Sequence, residues 1–533
     1  MNTKCFPERV SNNVTSMNSQ CWEPIDIEPN RYFNPSVVPG YEIKHGPKGN
    51  PLHGCVEPAF EQGLAQRYQQ LKHEKPSLKV KRAHFAMPQL DAAQLPSASD
   101  YELISEPRSL CSTSVSLVLA PQADIDKARI GYHFKGNKLE DLRDRLESEN
   151  SLDGLIGNLG YFMTKELNIG DHIWSHRRRF PNPDHQLPEV LSYLGFYYFS
   201  DENGKVETAG FPSAHDAAVA IDHAGNVQIV PSLTFRQFNV TIGEASFDVD
   251  CFNPSLELLS QHDVALFNVK FPMQHQGDLV EFSPMLELEG RVNLFLANQG
   301  DGIKPFEEVV AIWNGTCPLP SFGTLISIEE KYFESLFSET PQVGQAVKVI
   351  PVANEIDLCD YKQILGGLVP SVINGQSLVP TGPTVSAMQA EAALDTVANT
   401  DSPLSRSGKE TNNFDALIRE PSGLFIETEK HIGYLLFDGR HEMSIGANIV
   451  DVANLVQRLS QPDLDFFDGE SVINAISIDG GSAMKVYAAK TSATKAPTMD
   501  LLNRVAAGGR NAPGNDPQGL NLYSTVILEL NNA

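Results

Sequence analysis

The stretch Ile432–Met484, IGYLLFDGRHEMSIGANIVDVANLVQRLSQPDLDFFDGESVINAISIDGGSAM, decides how this chain is read. The run Ile432 to Phe437 has the length and composition of a buried strand and ends in Asp438-Gly439-Arg440. A shorter run, Ala475 to Ile478, ends in Asp479-Gly480-Gly481-Ser482. Between them Ile449, Val452, Ala453, Val456 and Leu459 recur at helical spacing, with Asn448 as N-cap and Asp451 three residues on. A strand, a helix and a strand in this order are most simply joined as parallel neighbours by a right-handed crossover. That geometry predicts Asp438 and Asp479 at the carboxyl ends of adjacent strands, where open sheets present their ligands.

Outside this unit the texture changes along the chain. Residues 1–110 are rich in Pro, Asn, Ser and Gln, with a polar helical candidate at Glu61 to His73. They read as a partly irregular N-terminal extension that Trp22, Tyr32 and Phe33 are placed to pin onto the body. Residues 111–533 read as the main domain. Within it Ser114 to Ala120 is a strand, Leu139 to Leu146 an amphipathic helix, and Leu155 to Phe162 a strand ending in a glycine-rich turn at Asn158. Alternation between 193 and 231 predicts antiparallel hairpins. Further strands are expected at Val264 to Phe271, Val309 to Trp313 and Gln342 to Val352, and a glycine-flanked turn and strand at Leu365 to Gly375. A long loop spans about 376–413, with a helical series at Ala387 to Val397. The class is α+β: mixed β-sheets with packed helices.

Composition excludes several partners. With 533 residues and 41% hydrophobic content the chain has ample material for a core. A formal charge of -26 argues against nucleic acid or an anionic membrane as main partner. Seven scattered cysteines form no CxxC pair, so neither zinc nor a disulfide framework is indicated, and His133, His172, His215 and His431 have no metal-ligand spacing. No metal or cofactor is expected. No run approaches a membrane span or a signal-peptide core, which makes a soluble, cytoplasmic protein the default, with non-classical secretion left open.

Six motifs stand in order along the chain: Asn158-Leu159-Gly160-Tyr161-Phe162, Gly366-Gly367 with Asn374-Gly375, Arg419, Asp438-Gly439-Arg440, Ser444-Ile445-Gly446 and Asp479-Gly480-Gly481-Ser482. In this order the set resembles the phosphodiester glycosidase family. Leu159 stands where that pattern has a glycine, and the last turn is one glycine shorter. The resemblance implies a hydrolase that splits the glycosidic bond of an N-acetylglucosamine-1-phosphodiester-like substrate, releasing sugar and phosphomonoester. A small-molecule or glycan phosphodiester is then the partner. A glycosyl transferase using such a phosphodiester, or a non-catalytic glycan- or phospho-ligand-binding protein on the same fold, are the alternatives.

The residue types suit that chemistry. Breaking a bond at an anomeric carbon needs carboxylates to manage an oxocarbenium-like transition state, and a cation to hold the phosphate. Asp479 and Asp438 are the candidate catalytic carboxylates. Arg419 and Arg440 are the candidate phosphate clamps, because a guanidinium meets phosphate through two parallel bonds. Gly480, Gly481 and Ser482 would offer N–H groups and a hydroxyl, while Asn158 and Ser444 would contact the sugar. Each has a structural alternative. Arg440 pairs with Asp438 or Asp479 as scaffold, Arg419 is a surface charge, Ser444 stabilises the turn before the helix, and Asn158 satisfies buried backbone. The run Arg177-Arg178-Arg179 beside His176 is either a solvated face or a recruiter of phosphorylated ligands.

Overall fold

A computed structural model of the chain describes residues 57–90, 93–108, 111–137, 153–160, 162–163, 192–193, 196–210, 217–267, 285–297, 307–318, 324–386, 389–390, 419, 421–439, 444–480, 484–492, 495–503 and 522–531. The expected helix at 139–146, the basic run at 177–179, the residues Trp22, Tyr32 and Phe33, and most of the 376–413 loop lie outside them. The strands that place the site are β1 (Lys79–Ala86), β2 (Ser112–Pro121), β3 (Gly154–Asn158), β4 (Tyr361–Ile373), β5 (Ser422–Thr428), β6 (His431–Phe437), β7 (Val472–Ile478), β8 (Val486–Ser492) and β9 (Leu522–Leu530). The helices α1 (Glu57–Glu74) and α2 (Ile449–Leu459) pack around them.

A 12-stranded sheet runs in the order Val227–Val230, Ala217–Asp222, β4, β7, β5, β6, β2, β1, Glu102–Ile104, with further short strands joined to β4. A five-stranded sheet runs Lys495–Leu501, β8, β3, β9, Ile125–Asn137. One apolar cluster joins the two sheets: Val118, Tyr434 and Ile476 from the first, Leu155, Val486 and Val526 from the second. At Gly157 a Cβ would come within 2.4 Å of the Tyr434 ring, so the glycine lets the sheets approach there. Residues 235–353 contribute a seven-stranded antiparallel sheet of their own, which holds the strands expected near 264–271, 309–313 and 342–352. The α+β reading holds, with mostly antiparallel ladders, and the hairpins expected between 193 and 231 are present.

The unit at 432–484 forms as read, with one correction. Asn448 caps α2 by accepting from the Asp451 N–H at 2.8 Å, and the Asp451 carboxylate accepts from the Asn448 N–H at 3.1 Å. Leu455, Val456 and Leu459 pack on Leu117, Leu424 and Leu435 of the sheet. Each such side chain contributes roughly 1.5–3 kcal/mol when fully buried. However, β6 and β7 are not neighbours, because β5 lies between them, antiparallel to both. The reason is the short hairpin that pairs β5 with β6 before α2 begins. It leaves the far edge of β5 open, and the crossover carries β7 to that edge.

The expectation of a weakly packed region before 110 is also revised for residues 57–104. Leu64, Tyr68 and Leu71 of α1 enter the main core, and β1 pairs with β2 over its whole length. Its basic residues are neutralised from the C-terminal half of the chain. Lys79 Nζ lies 2.8 Å from Glu470 Oε1, Lys81 pairs with Asp468, and Arg82 Nη2 lies 2.9 Å from Asp438 Oδ2.

Glu470 yields a pH test. Burial acts to raise its carboxyl, but hydrogen bonds from Lys79, Thr428 and His431 outweigh it and hold the group at about 2. A depressed folded value means this carboxylate stabilises the protein above its ordinary range, near 4.5, and the contribution is lost as pH falls towards 2. Glu470→Gln is expected to be less stable than wild type by about 2 kcal/mol at pH 7. Urea denaturation at a series of pH values checks this. The gap between variant and wild type should close as pH drops from about 4.5 to 2, and a gap independent of pH would refute the assignment.

Candidate functional site

Asp438 directly follows β6 and Asp479 directly follows β7, so both lie at the same edge of the large sheet, flanking the start of β5. Two strand spacings separate them, about 10 Å. The two carboxylates have different surroundings. Asp479 is half-buried, whereas Asp438 is fully buried. The Asp438 N–H donates to the Ser114 carbonyl at 3.0 Å, and its carboxylate accepts from Arg82 Nη2 at 2.9 Å.

Asn158 joins the first motif to the last. Its Nδ2 donates to the Asp479 carbonyl at 2.7 Å across a separation of 321 residues, and its Oδ1 accepts from the Lys485 N–H at 3.0 Å. The Asp479 N–H donates in turn to the Leu159 carbonyl at 2.6 Å. The Asp479 turn is therefore clamped at the end of β3 through backbone atoms, and the Asn158 amide is engaged with buried backbone. Leu159, at the glycine position of the pattern, is buried in the core cluster that holds Leu155 and Met484. At Gly480 a Cβ would come within 2.5 Å of the Pro421 carbonyl, a contact with backbone that only glycine avoids.

Ser444 stabilises the turn before α2. Its Oγ donates to the Asp438 carbonyl and accepts from the Ser114 N–H at 2.9 Å. Nearby, the Ile445 N–H donates to the Ser112 carbonyl at 2.9 Å. Arg440, Gly481 and Ser482 lie outside the described residues.

Arg419 is buried, so it is not a surface charge. Its Nε and Nη2 hold Asp451 at 2.8 and 3.0 Å, and Nη2 also donates to the Pro88 carbonyl at 2.7 Å. Tyr101 donates to the same carboxylate at 2.7 Å. Burial, and next the Asp451 charge, push the Tyr101 hydroxyl well above its ordinary range, so it stays a donor. Asp451 thus accepts from Asn448, Arg419 and Tyr101, and this network fixes α2 against residues 88–101. The sequence marked Asp451 as a capping residue, a role that says nothing of what its second oxygen binds.

Residues that sequence reasoning did not single out complete the edge. Arg82 Nη1 donates to Ser116 Oγ at 2.5 Å, and His84 Nδ1 lies 2.9 Å from Ser114 Oγ. Lys485, on the return from the Asp479 turn, is buried. The available signal was the two-residue period of Ser112, Ser114 and Ser116 beside that of Arg82 and His84. Among the described residues no helix is long and apolar enough to cross a membrane.

No protein-family model matches this chain. No curated protein matches it either. Solved structures show distant likeness. A hypothetical protein from Synechocystis aligns with TM-score 0.37 and 13% identity over 79% of this chain, which spans 60% of that protein. A protein of Burkholderia pseudomallei K96243 described as exported aligns with TM-score 0.38 and 13% identity over 78% of this chain and 74% of that one. The catalytic domain of zebrafish N-acetylglucosamine-1-phosphodiester alpha-N-acetylglucosaminidase, auto-inhibited by its pro-peptide, aligns with TM-score 0.31 and 11% identity over 85% of this chain and 84% of that one. Likenesses of this size carry no argument about chemistry.

Proposed function

We propose that the chain is a hydrolase that splits the glycosidic bond of a sugar-1-phosphodiester, of the N-acetylglucosamine-1-phosphodiester kind, to free sugar and phosphomonoester. The observation that carries this reading is the Asn158–Asp479 clamp. It brings the first and last motifs of the ordered set together, at the end of the sheet where β6 also runs into Asp438. Asp479 is the reacting carboxylate, as nucleophile at the anomeric carbon or as base for water. A phosphomonoester leaves readily, so the demand for an acid is small and the demand for a cation beside the phosphate is large. Asp438 acts from behind this surface, through Arg82. Gly480, Gly481, Ser482 and Arg440 would supply N–H, hydroxyl and guanidinium donors to the sugar and phosphate.

Incubation with an N-acetylglucosamine-1-phosphodiester, with free sugar as the readout, tests the reading. Release of sugar is expected. Appearance of a new glycoside instead would identify a transferase, and absence of both products would overturn the enzymatic reading. One observation favours a second reading, a non-catalytic binding protein: Asp438 and Arg419 are both buried in ion pairs. Tight binding of the intact phosphodiester without turnover would establish it.

A further inference from the structure

We propose that strand β1 supplies the anion-binding half of the site: Arg82 and His84 take the phosphate oxygens of the ligand, and Asp438 is the positioning residue that orients Arg82. The inference rests on the reading of this edge as a phosphodiester site.

The residues along one sheet face change in character towards the Asp438 end. Register places Val80 beside Val118 and Tyr434, then Arg82 beside Ser116 and Leu436, then His84 beside Ser114, with Asp438 immediately past the end of β6. The Val80 row belongs to the apolar core between the sheets. Over the next two rows the face becomes polar, and Ser112, Ser114 and Ser116 are all fully buried. Apolar side chains would close this end of the core at lower cost, since buried charges must be paired and hydrogen-bonded to be tolerated. Charge kept at such a position points to a ligand.

The geometry divides the labour. Ser116 Oγ on Nη1 and Asp438 Oδ2 on Nη2 fix the plane of the Arg82 guanidinium. Asp438 is fully buried and its own N–H and carbonyl are bonded, so it acts on a ligand through Arg82. Arg82 and His84 are half-buried as residues, and the Arg82 side chain itself is 7% exposed. Of the two guanidiniums expected from sequence to hold phosphate, Arg419 pairs with Asp451, and Arg440 lies outside the described residues. In a chain of net charge -26, an anion needs a local cation, and Arg82 places a guanidinium at this end of the sheet, with His84 two residues on. The class of ligand is a phosphate mono- or diester, whose oxygens match a planar guanidinium.

Titration calorimetry of the full chain with methyl phosphate tests this. Arg82→Gln alone would strand a buried carboxylate, so the informative variant is the neutral pair Arg82→Gln with Asp438→Asn, alongside His84→Gln. The paired variant is expected to weaken methyl phosphate binding about tenfold or more, and His84→Gln several-fold, with thermal midpoints retained. Lys205→Gln, at an exposed position paired with Glu207, should bind methyl phosphate within about twofold of wild type. Wild-type affinity in both β1 variants, or no binding by the wild type, would overturn the proposal. The two readings fail separately. Sugar release by a wild type whose β1 variants keep full affinity would refute the role of β1 alone. Phosphate binding that depends on Arg82 and His84, without sugar release, would refute the hydrolase alone.

Discussion

Asp479→Asn is expected to cut release of sugar from the phosphodiester by about 10²–10⁴-fold while leaving the fold intact, the size of effect seen when a reacting carboxylate or base is removed. The fold should survive because the turn is held by its main chain: the Asp479 N–H donates to Leu159 and its carbonyl accepts from Asn158. Asparagine is isosteric and leaves both bonds in place. The loss should therefore fall on kcat, with KM and the thermal midpoint close to wild type. Steady-state kinetics beside a thermal melt separates these outcomes. Turnover at the wild-type rate would remove Asp479 from the mechanism.

The contrast between the two aspartates shows what the sequence could and could not disclose. Both end an apolar run in an Asp-Gly turn, and both reach the same sheet edge as read. Their burial differs because of strands that local pattern does not place. Asp438 is sealed by β1, which does not read as a strand because four of its eight residues, Lys79, Lys81, Arg82 and His84, are basic. Those charges are tolerated only because Glu470, Asp468 and Asp438 arrive from the other end of the chain. Periodicity reports which residues share a face, not which distant partner neutralises them.

The same limit explains the strand order. The helix α2 was legible to its cap, since Asn448, Asp451 and the apolar stripe are local. That β5 intervenes between β6 and β7 depends on which sheet edge is vacant when the crossover returns, a property of the assembled sheet. Asn158 illustrates the intermediate case. Its type and turn mark it as a site residue or a satisfier of buried backbone, and its amide bonds to backbone of Asp479 and Lys485. In that role it still acts on the site, by holding the Asp479 turn.

Arg419→Ala is expected to cost about 3–5 kcal/mol of stability, the usual penalty for leaving one partner of a buried ion pair uncompensated. Asp451 is fully buried, caps α2 and accepts from both Arg419 and Tyr101, so its charge has no route to water when the guanidinium is gone. Removing both charges with Arg419→Met and Asp451→Leu should cost less than the single change, although Tyr101 loses its acceptor and α2 its reciprocal cap bond. Urea denaturation of the single and double variants gives the order. The predicted sequence of stabilities is wild type, double, single. Methyl phosphate affinity provides the second axis, and it should be unaffected in the double variant, because the Arg419 side chain faces α2 and the Pro88 carbonyl. A single variant with native stability and lost phosphate affinity would return Arg419 to the ligand and make its pairing with Asp451 incidental. The expected result makes Arg419 a brace instead. It precedes Pro421, whose carbonyl lies against Gly480, and Ser422 Oγ donates to the Ala447 carbonyl ahead of α2. Through these contacts the ion pair sets the backbone on which the Asp479 turn rests.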